Sequence, residues 1–337
     1  MIFSLDLYLN LKLLKNAYLS EIFFHAFLGR KQTIPKMLFF KQTTYFFVKG
    51  LLLIVLLLPI LDGCGLYITT FRYKDAAVYQ YFEQKKLHPT IQYYTAQGRQ
   101  IRYLEIGDDS LPTVLWIHGA PSSLSVHQAN LSDSLLLTKC HMIAVDRPGY
   151  GYSGLGKSEV SIARQARMIQ PLLDSLKRRT RPIIVAGFSF GGPIASKLVM
   201  DNPDLVDGLL LGAPAIAPGQ EKIFKISYIT KNWLTRWIFP RMLRVASDEK
   251  FAHEAELKKL LPDWGKIKIP VIYLQGMNDS VVYTSNATFA REKLINAKSL
   301  EIIMIPNQPH FLSVPQKDLI KAKLLQLIEM TQPKKAI

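Results

Sequence analysis

A serine flanked by glycines stands between two stretches of different periodicity. The apolar run Ile183-Ile184-Val185-Ala186 leads into Gly187-Phe188-Ser189-Phe190-Gly191-Gly192, and a helical pattern follows over 192–202. The run suits a buried strand, so a G-x-S-x-G pattern occupies a strand–turn–helix junction. There the glycines let the chain turn sharply, and the serine is thrown out at the end of the sheet in strained backbone. A serine hydroxyl is a weak nucleophile until a base takes its proton. The chemistry therefore requires a histidine, and an acid to orient it. Seven histidines are available: His25, His88, His118, His127, His141, His253 and His310.

Two further motifs precede the serine, Trp116-Ile117-His118-Gly119-Ala120-Pro121 and Asp146-Arg147-Pro148-Gly149-Tyr150-Gly151-Tyr152-Ser153. They resemble the H-G loop after the third strand and the D-x-x-G-x-G-x-S loop after the fourth strand of the α/β-hydrolase fold family. With the serine turn they come in that family's order, over roughly residues 90–330. The resemblance implies the chain order nucleophile, acid, base. His310, in Asn307-Gln308-Pro309-His310-Phe311, is the one histidine that follows the last expected strand. For the acid, the family uses the loop after the strand that follows an insertion, or the loop after the strand before it. The earlier loop here, Gly212-Ala213-Pro214-Ala215, holds no carboxylate, and the later one, Gln275-Gly276-Met277-Asn278-Asp279, holds only Asp279. The implied triad is Ser189, Asp279 and His310.

Acyl transfer also needs donors aimed at the developing oxyanion. The resemblance implies the backbone N–H of Phe190 as one and that of Ala120 as the other, since Pro121 has no N–H to give. His118 is expected to shape its loop, and Asp146 to hold its own loop together. No cofactor or metal is required. A serine nucleophile argues against the epoxide hydrolases and haloalkane dehalogenases of this fold, which carry aspartate there. His-Gly-Ala-Pro departs from the His-Gly-Gly-Pro-Gly of the proline iminopeptidase branch, which argues against peptidase action. Ester, thioester, amide or C–C hydrolysis remains, and a carboxylic ester hydrolase with a small-molecule acyl substrate is the expectation. The alternatives are a C–C hydrolase, a cofactor-free haloperoxidase-like enzyme, and a non-catalytic binding protein of the same fold.

The elements that must position these residues alternate in type. Runs at 91–95 and 100–106 flank Gln97-Gly98 and read as a hairpin. Short apolar runs follow at 113–117, 142–145, 183–186, 209–211, 271–274 and 300–305. Between them lie helical patterns at 161–178, 192–202, 284–295 and 316–330. Strands alternating with helices predict a mostly parallel sheet covered on both faces, an α/β fold. The stretch from about 215 to 266 breaks the alternation, with Trp233, Trp237 and Trp264 and many basic residues. It reads as a helical cap over Ser189, with Trp233 and Trp237 expected to shape the acyl pocket.

With 337 residues, 49% hydrophobic and 20% charged, the chain is neither disordered nor a small disulfide scaffold. Its net charge of +16 is general, because residues 1–63 hold only seven of the 42 basic residues. The densest basic cluster, Lys177-Arg178-Arg179 with Arg181, reads as a helix C-terminus. No basic run interleaved with aromatics points to nucleic acid.

The most apolar stretch, 51–61, is short for a bilayer span of about 20 residues but suits a signal-peptide core of about 7–15. Leu61-Asp62-Gly63-Cys64 resembles a bacterial lipobox, with Asp62 the departure. Residues 37–63 are thus expected to be a signal peptide or anchor from Met37, with Cys64 lipidated. An uncut anchor and a buried core helix are the alternatives. Residues 1–36 read as an extension without a motif, 64–89 as linker and helix, and 90–337 as the hydrolase domain. The protein is accordingly expected in the cell envelope, held at a membrane.

Overall fold

Residues 49–50, 72–176 and 181–332 are described in a computed structural model. The chain divides into two units, 1–57 and 58–337. All the described residues except Lys49 and Gly50 belong to the second. The apolar stretch 51–61, the extension 1–36, Cys64 and Lys177, Arg178 and Arg179 lie outside the described residues. No helix among the described residues is long and apolar enough to cross a membrane.

Eight strands form one sheet: β1 (Thr90–Ala96), β2 (Arg99–Ile106), β3 (Thr113–Ile117), β4 (His141–Val145), β5 (Ile183–Phe188), β6 (Gly208–Gly212), β7 (Pro270–Gly276) and β8 (Ser299–Ile305). Their spatial order is β1-β2-β4-β3-β5-β6-β7-β8. β1 and β2 form the expected hairpin, β2 pairs antiparallel with β4, and every later pairing is parallel. Strands β3 to β7 are buried at every position. That explains their unbroken apolar character, because a parallel sheet is covered on both faces.

Alternate side chains of each strand feed two separate cores. Leu115, Ile117 and Val185 meet α4 (Ile162–Leu176), α5 (Gly191–Asp201) and α9 (Ser285–Lys293) on one face. Val114, Trp116 and Ile184 meet α1 (Asp75–Glu83) and α10 (Lys317–Thr331) on the other. In the stretch expected as linker and helix, α1 carries Val78 and Phe82, both fully buried in this second core. The connection from β3 to β4 contains a 3-10 turn (Leu124–His127) and two one-turn helices, α2 (Gln128–Leu131) and α3 (Ser134–Leu137). Asp133 caps α3 by accepting from Leu135 N and Leu136 N.

The insertion between β6 and β7 is helical, with α6 (Lys225–Lys231), α7 (Trp233–Arg236), α8 (Arg241–Leu260) and a 3-10 turn (Leu261–Lys266). It is tied to the body where Asn286 Oδ1 accepts from Ile216 N and Ala217 N at 2.8 Å each. Lys222 N donates to Val281 O nearby, at 2.8 Å.

Candidate active site

Ser189 sits between the end of β5 and the start of α5 with φ of +51°, a left-handed conformation that costs a non-glycine residue energy. The turn is tight enough to forbid side chains beside it. A Cβ on Gly187 would lie 2.5 Å from Ala195 Cβ, and one on Gly191 would lie 2.4 Å from Ile117 O. The serine's own backbone is held on both sides: its N–H donates to Gly212 O at 2.9 Å, and its carbonyl accepts from Gly192 N and Ala215 N.

His310 and Asp279 meet this serine from the ends of β8 and β7. Ser189 Oγ lies 2.9 Å from His310 Nε2, and His310 Nδ1 lies 2.7 Å from Asp279 Oδ2. The carboxylate can only accept, so Nδ1 carries the proton and Nε2 is free to take one from the serine. Asp279 Oδ1 accepts from Val281 N and Val282 N at 2.9 Å each, which fixes the carboxylate plane. The Asp279 side chain is fully buried, and that of His310 is 23% exposed. The two loops touch closely: a Cβ on Gly276 would lie 2.0 Å from Gln308 O, and Asn278 N donates to that same oxygen. Gln308, which sequence reasoning did not single out, holds the histidine loop by donating to Phe311 O at 2.8 Å. It also accepts from Gln316 Nε2 at 2.6 Å.

Ala120 and Phe190 both line the space around Ser189. The loop before Ala120 approaches so closely that a Cβ on Gly119 would lie 2.8 Å from Ser189 Cβ. Its backbone is pinned from behind. Arg147 donates through Nε to His118 O at 2.8 Å and through Nη2 to Gly119 O at 3.1 Å. His118 Nδ1 donates to Gly119 O at 2.7 Å, while its Nε2 accepts from Arg147 N at 3.0 Å. Both ring nitrogens are thus committed to a neutral imidazole. Burial, with the Arg147 charge beside it, pushes the His118 pKa well below the ordinary histidine value. His118 therefore shapes the loop. In the trans Gly119–Ala120 peptide, C=O and N–H point opposite ways, so fixing Gly119 O turns the Ala120 N–H away from Arg147.

Sequence reasoning gave Arg147 no role. Its guanidinium is fully buried against Glu249 of α8 (Nη1–Oε1 2.7 Å) and lies 4.9 Å from the Phe190 ring centroid. Gln165 and Tyr150 complete the satisfaction of Glu249, each donating to one of its carboxylate oxygens. Asp146, as expected, holds its own loop: it accepts from Leu124 N, Tyr152 N and Arg102 Nη1 at 2.8–3.1 Å. Among the described residues no group of His, Cys, Asp or Glu side chains converges as a metal site requires.

Two cavities open on Ser189. One, of about 140 Å³, runs under the cap between Phe190, Phe224, Ile226, Leu243, Ala246 and Val282. The other, of about 120 Å³, lies between Val126, Phe188, Leu312 and Ser313, beside His310. The tryptophans expected to shape the first do not line it. Trp233 is 80% and Trp237 54% exposed, because their segment turns its large side chains outward. Trp264 is buried in the core instead.

Residues 112–237 match the family model described as the alpha/beta hydrolase fold. A lipase structure from Acinetobacter baumannii superposes with a TM-score of 0.60 at 18% identity, covering 76% of this chain and 97% of that one. The chain has the α/β-hydrolase fold. It is 25% identical over 232 residues to the monoacylglycerol lipase abhd6-B of Xenopus laevis, covering 66% of this chain and 65% of that one. It is 34% identical over 125 residues to a multifunctional-autoprocessing repeats-in-toxin protein of Vibrio cholerae. That match covers 36% of this chain but only 3% of the toxin.

Proposed function

We propose that this α/β-hydrolase is a serine hydrolase acting on carboxylic esters, with Ser189 as nucleophile, His310 as base and Asp279 as the orienting acid. The observation that carries the reading is the unbroken line from Oγ through the imidazole to a buried carboxylate, at 2.9 and 2.7 Å. His310 Nε2 takes the proton as Oγ attacks the ester carbonyl carbon. The carbonyl oxygen becomes an oxyanion and accepts from Phe190 N–H and Ala120 N–H. His310 then gives its proton to the departing alkoxide. Water repeats the sequence on the acyl-enzyme, freeing the acid and restoring the serine. The lipase names among its relatives agree with an ester substrate. The cavity under the cap takes the acyl chain, and the one beside His310 takes the leaving alcohol. A cavity of about 150 Å³ accommodates benzene, so the acyl side suits chains of about six carbons.

Labelling by a fluorophosphonate probe, with turnover of a soluble ester, tests the reading. Ser189→Ala should abolish labelling and lower turnover at least about a thousandfold with an unchanged melting temperature. Asp279→Asn should be folded and nearly inactive, whereas Asp146→Asn should lose stability more than activity. Labelling that survives in Ser189→Ala would sink the nucleophile assignment. We further propose that the chain is held at a membrane of the cell envelope, by a lipid on Cys64 or by 51–61 as an uncut anchor. An intact mass with neither cleavage before Cys64 nor added lipid would leave the anchor alone.

A further inference from the structure

The outer face of the cap has the wrong polarity for water. Along 222–237 the small hydroxyl residues Ser227 and Thr230 point inward, where Thr230 Oγ1 donates to Ser227 O and lies 2.5 Å from Ser247 Oγ. The large apolar side chains Ile223, Tyr228, Ile229, Trp233, Leu234 and Trp237 point outward, each more than two-fifths exposed. A helix at an aqueous surface does the reverse, burying its apolar stripe. Exposed apolar surface of this extent marks a face that meets another apolar phase.

Charge selects which phase. Lys222, Lys225, Lys231 and Arg236 are interleaved with these residues, and 222–237 contains no Asp or Glu. Arg236 is paired with Asp248, but Lys222 and Lys231 reach out over the Phe224 and Phe251 rings. A second copy of this face would bring like charges together. An anionic lipid surface supplies opposite charge and apolar depth at once, and Trp, Tyr and Lys are the side chains suited to that boundary. Phe224 and Ile226 connect the two sides, since both are exposed and both line the cavity that reaches Ser189.

We infer that the cap docks through this face on an anionic lipid surface, and that the site draws ester substrates from that surface. The docking stands on the cap alone, and the substrate class rests on the serine-hydrolase reading. It is a contact separate from any anchor in 37–64, so the test must report on the cap itself. Trp116 and Trp264 are fully buried, which leaves Trp233 and Trp237 as the exposed tryptophans. With the full chain, tryptophan emission should be quenched by vesicles of brominated phosphatidylcholine containing phosphatidylglycerol. Quenching should be much weaker without phosphatidylglycerol. Lys225→Glu with Lys231→Glu should weaken it, by about fivefold in partition for each cation removed. The same variant should hydrolyse a soluble ester at the parent rate and a vesicle-borne ester of the same acyl chain at least tenfold more slowly. Quenching that is absent, or indifferent to the charge reversal, overturns the docking. So does concentration-dependent dimerisation abolished by Trp233→Ser with Leu234→Ser, in the absence of quenching. Soluble-ester hydrolysis that persists in Ser189→Ala overturns the serine reading and leaves the docking intact.

Discussion

A hydrogen bond to one end of a peptide is felt at the other end. Arg147 donates to the carbonyl of Gly119, and the N–H of that same peptide unit belongs to Ala120. Drawing electron density toward the carbonyl oxygen makes the N–H a stronger donor, and the low dielectric of a buried site strengthens the effect. On the proposed serine-hydrolase reading, Arg147 is thus a positioning residue for the oxyanion. Arg147→Met alone would leave Glu249 buried and unpaired, at a cost of about 3–5 kcal/mol in stability. Arg147→Met combined with Glu249→Gln removes both charges and should restore most of the melting temperature. Its kcat should remain about 10- to 100-fold low with KM little changed, less than the loss of a whole oxyanion donor. A boronate that mimics the tetrahedral intermediate should weaken in parallel with kcat. If the double variant recovers kcat along with stability, the guanidinium serves the fold only. None of this was legible in the sequence. Arg147 and Glu249 are 102 residues apart, and an arginine in a motif gives no sign of its partner. The candidates Ser189, Asp279 and His310 could be picked out in the sequence because each lies in the loop that follows a strand with an apolar run.

At the scale of elements, strands and caps differ in how far composition reveals them. The parallel strands announce themselves because burial on both faces demands continuous apolar residues, and 113–117 coincides with β3. The one-turn helices α2 and α3 are too short to repeat a period, so no pattern marks them. The cap's helical character was legible, but the side its tryptophans face was not, since apolarity alone does not say which apolar neighbour is met. The α8 residues that line the cavity at Ser189 include Leu243 and Ala246. Ala246→Phe should therefore fill the acyl cavity and shift preference toward shorter soluble esters, by about fourfold in kcat/KM for each methylene excluded. Trp237→Ser should leave that soluble-ester profile unchanged. A profile indifferent to Ala246→Phe would move the acyl chain to the cavity beside Val126 and Leu312.

The molecule as a whole should be acid-labile for a reason separate from catalysis. His118, His127 and His253 are fully buried, and desolvation lowers the pKa of each, that of His127 to about 3. A histidine lowered in the folded state binds a proton in the unfolded chain first, below about pH 6.5. Its contribution to stability is therefore fully present above that value and is lost as pH falls toward the folded pKa. Each such group costs about 1.4 kcal/mol per pH unit over that window. Thermal unfolding should show a steep fall between about pH 6.5 and pH 4. His127→Phe, in the apolar space between Trp116 and Phe188, should flatten that slope. An unaltered slope would assign the acid lability to the other two histidines.

The order in which the site's parts occur along the chain also has a meaning in time. Ser189 and His310 are 121 residues apart, and the histidine follows β8, which is added to the sheet at its far edge beyond β7. At a synthesis rate of about 5–20 residues per second, the serine waits roughly 6–24 seconds on the ribosome before His310 has been made. On the proposed reading, a lone strained serine without a base is a poor nucleophile, so the nascent chain stays chemically silent over that interval. On that same reading, hydrolytic competence arrives only with His310, as an assembly event of the sheet once β8 is in place.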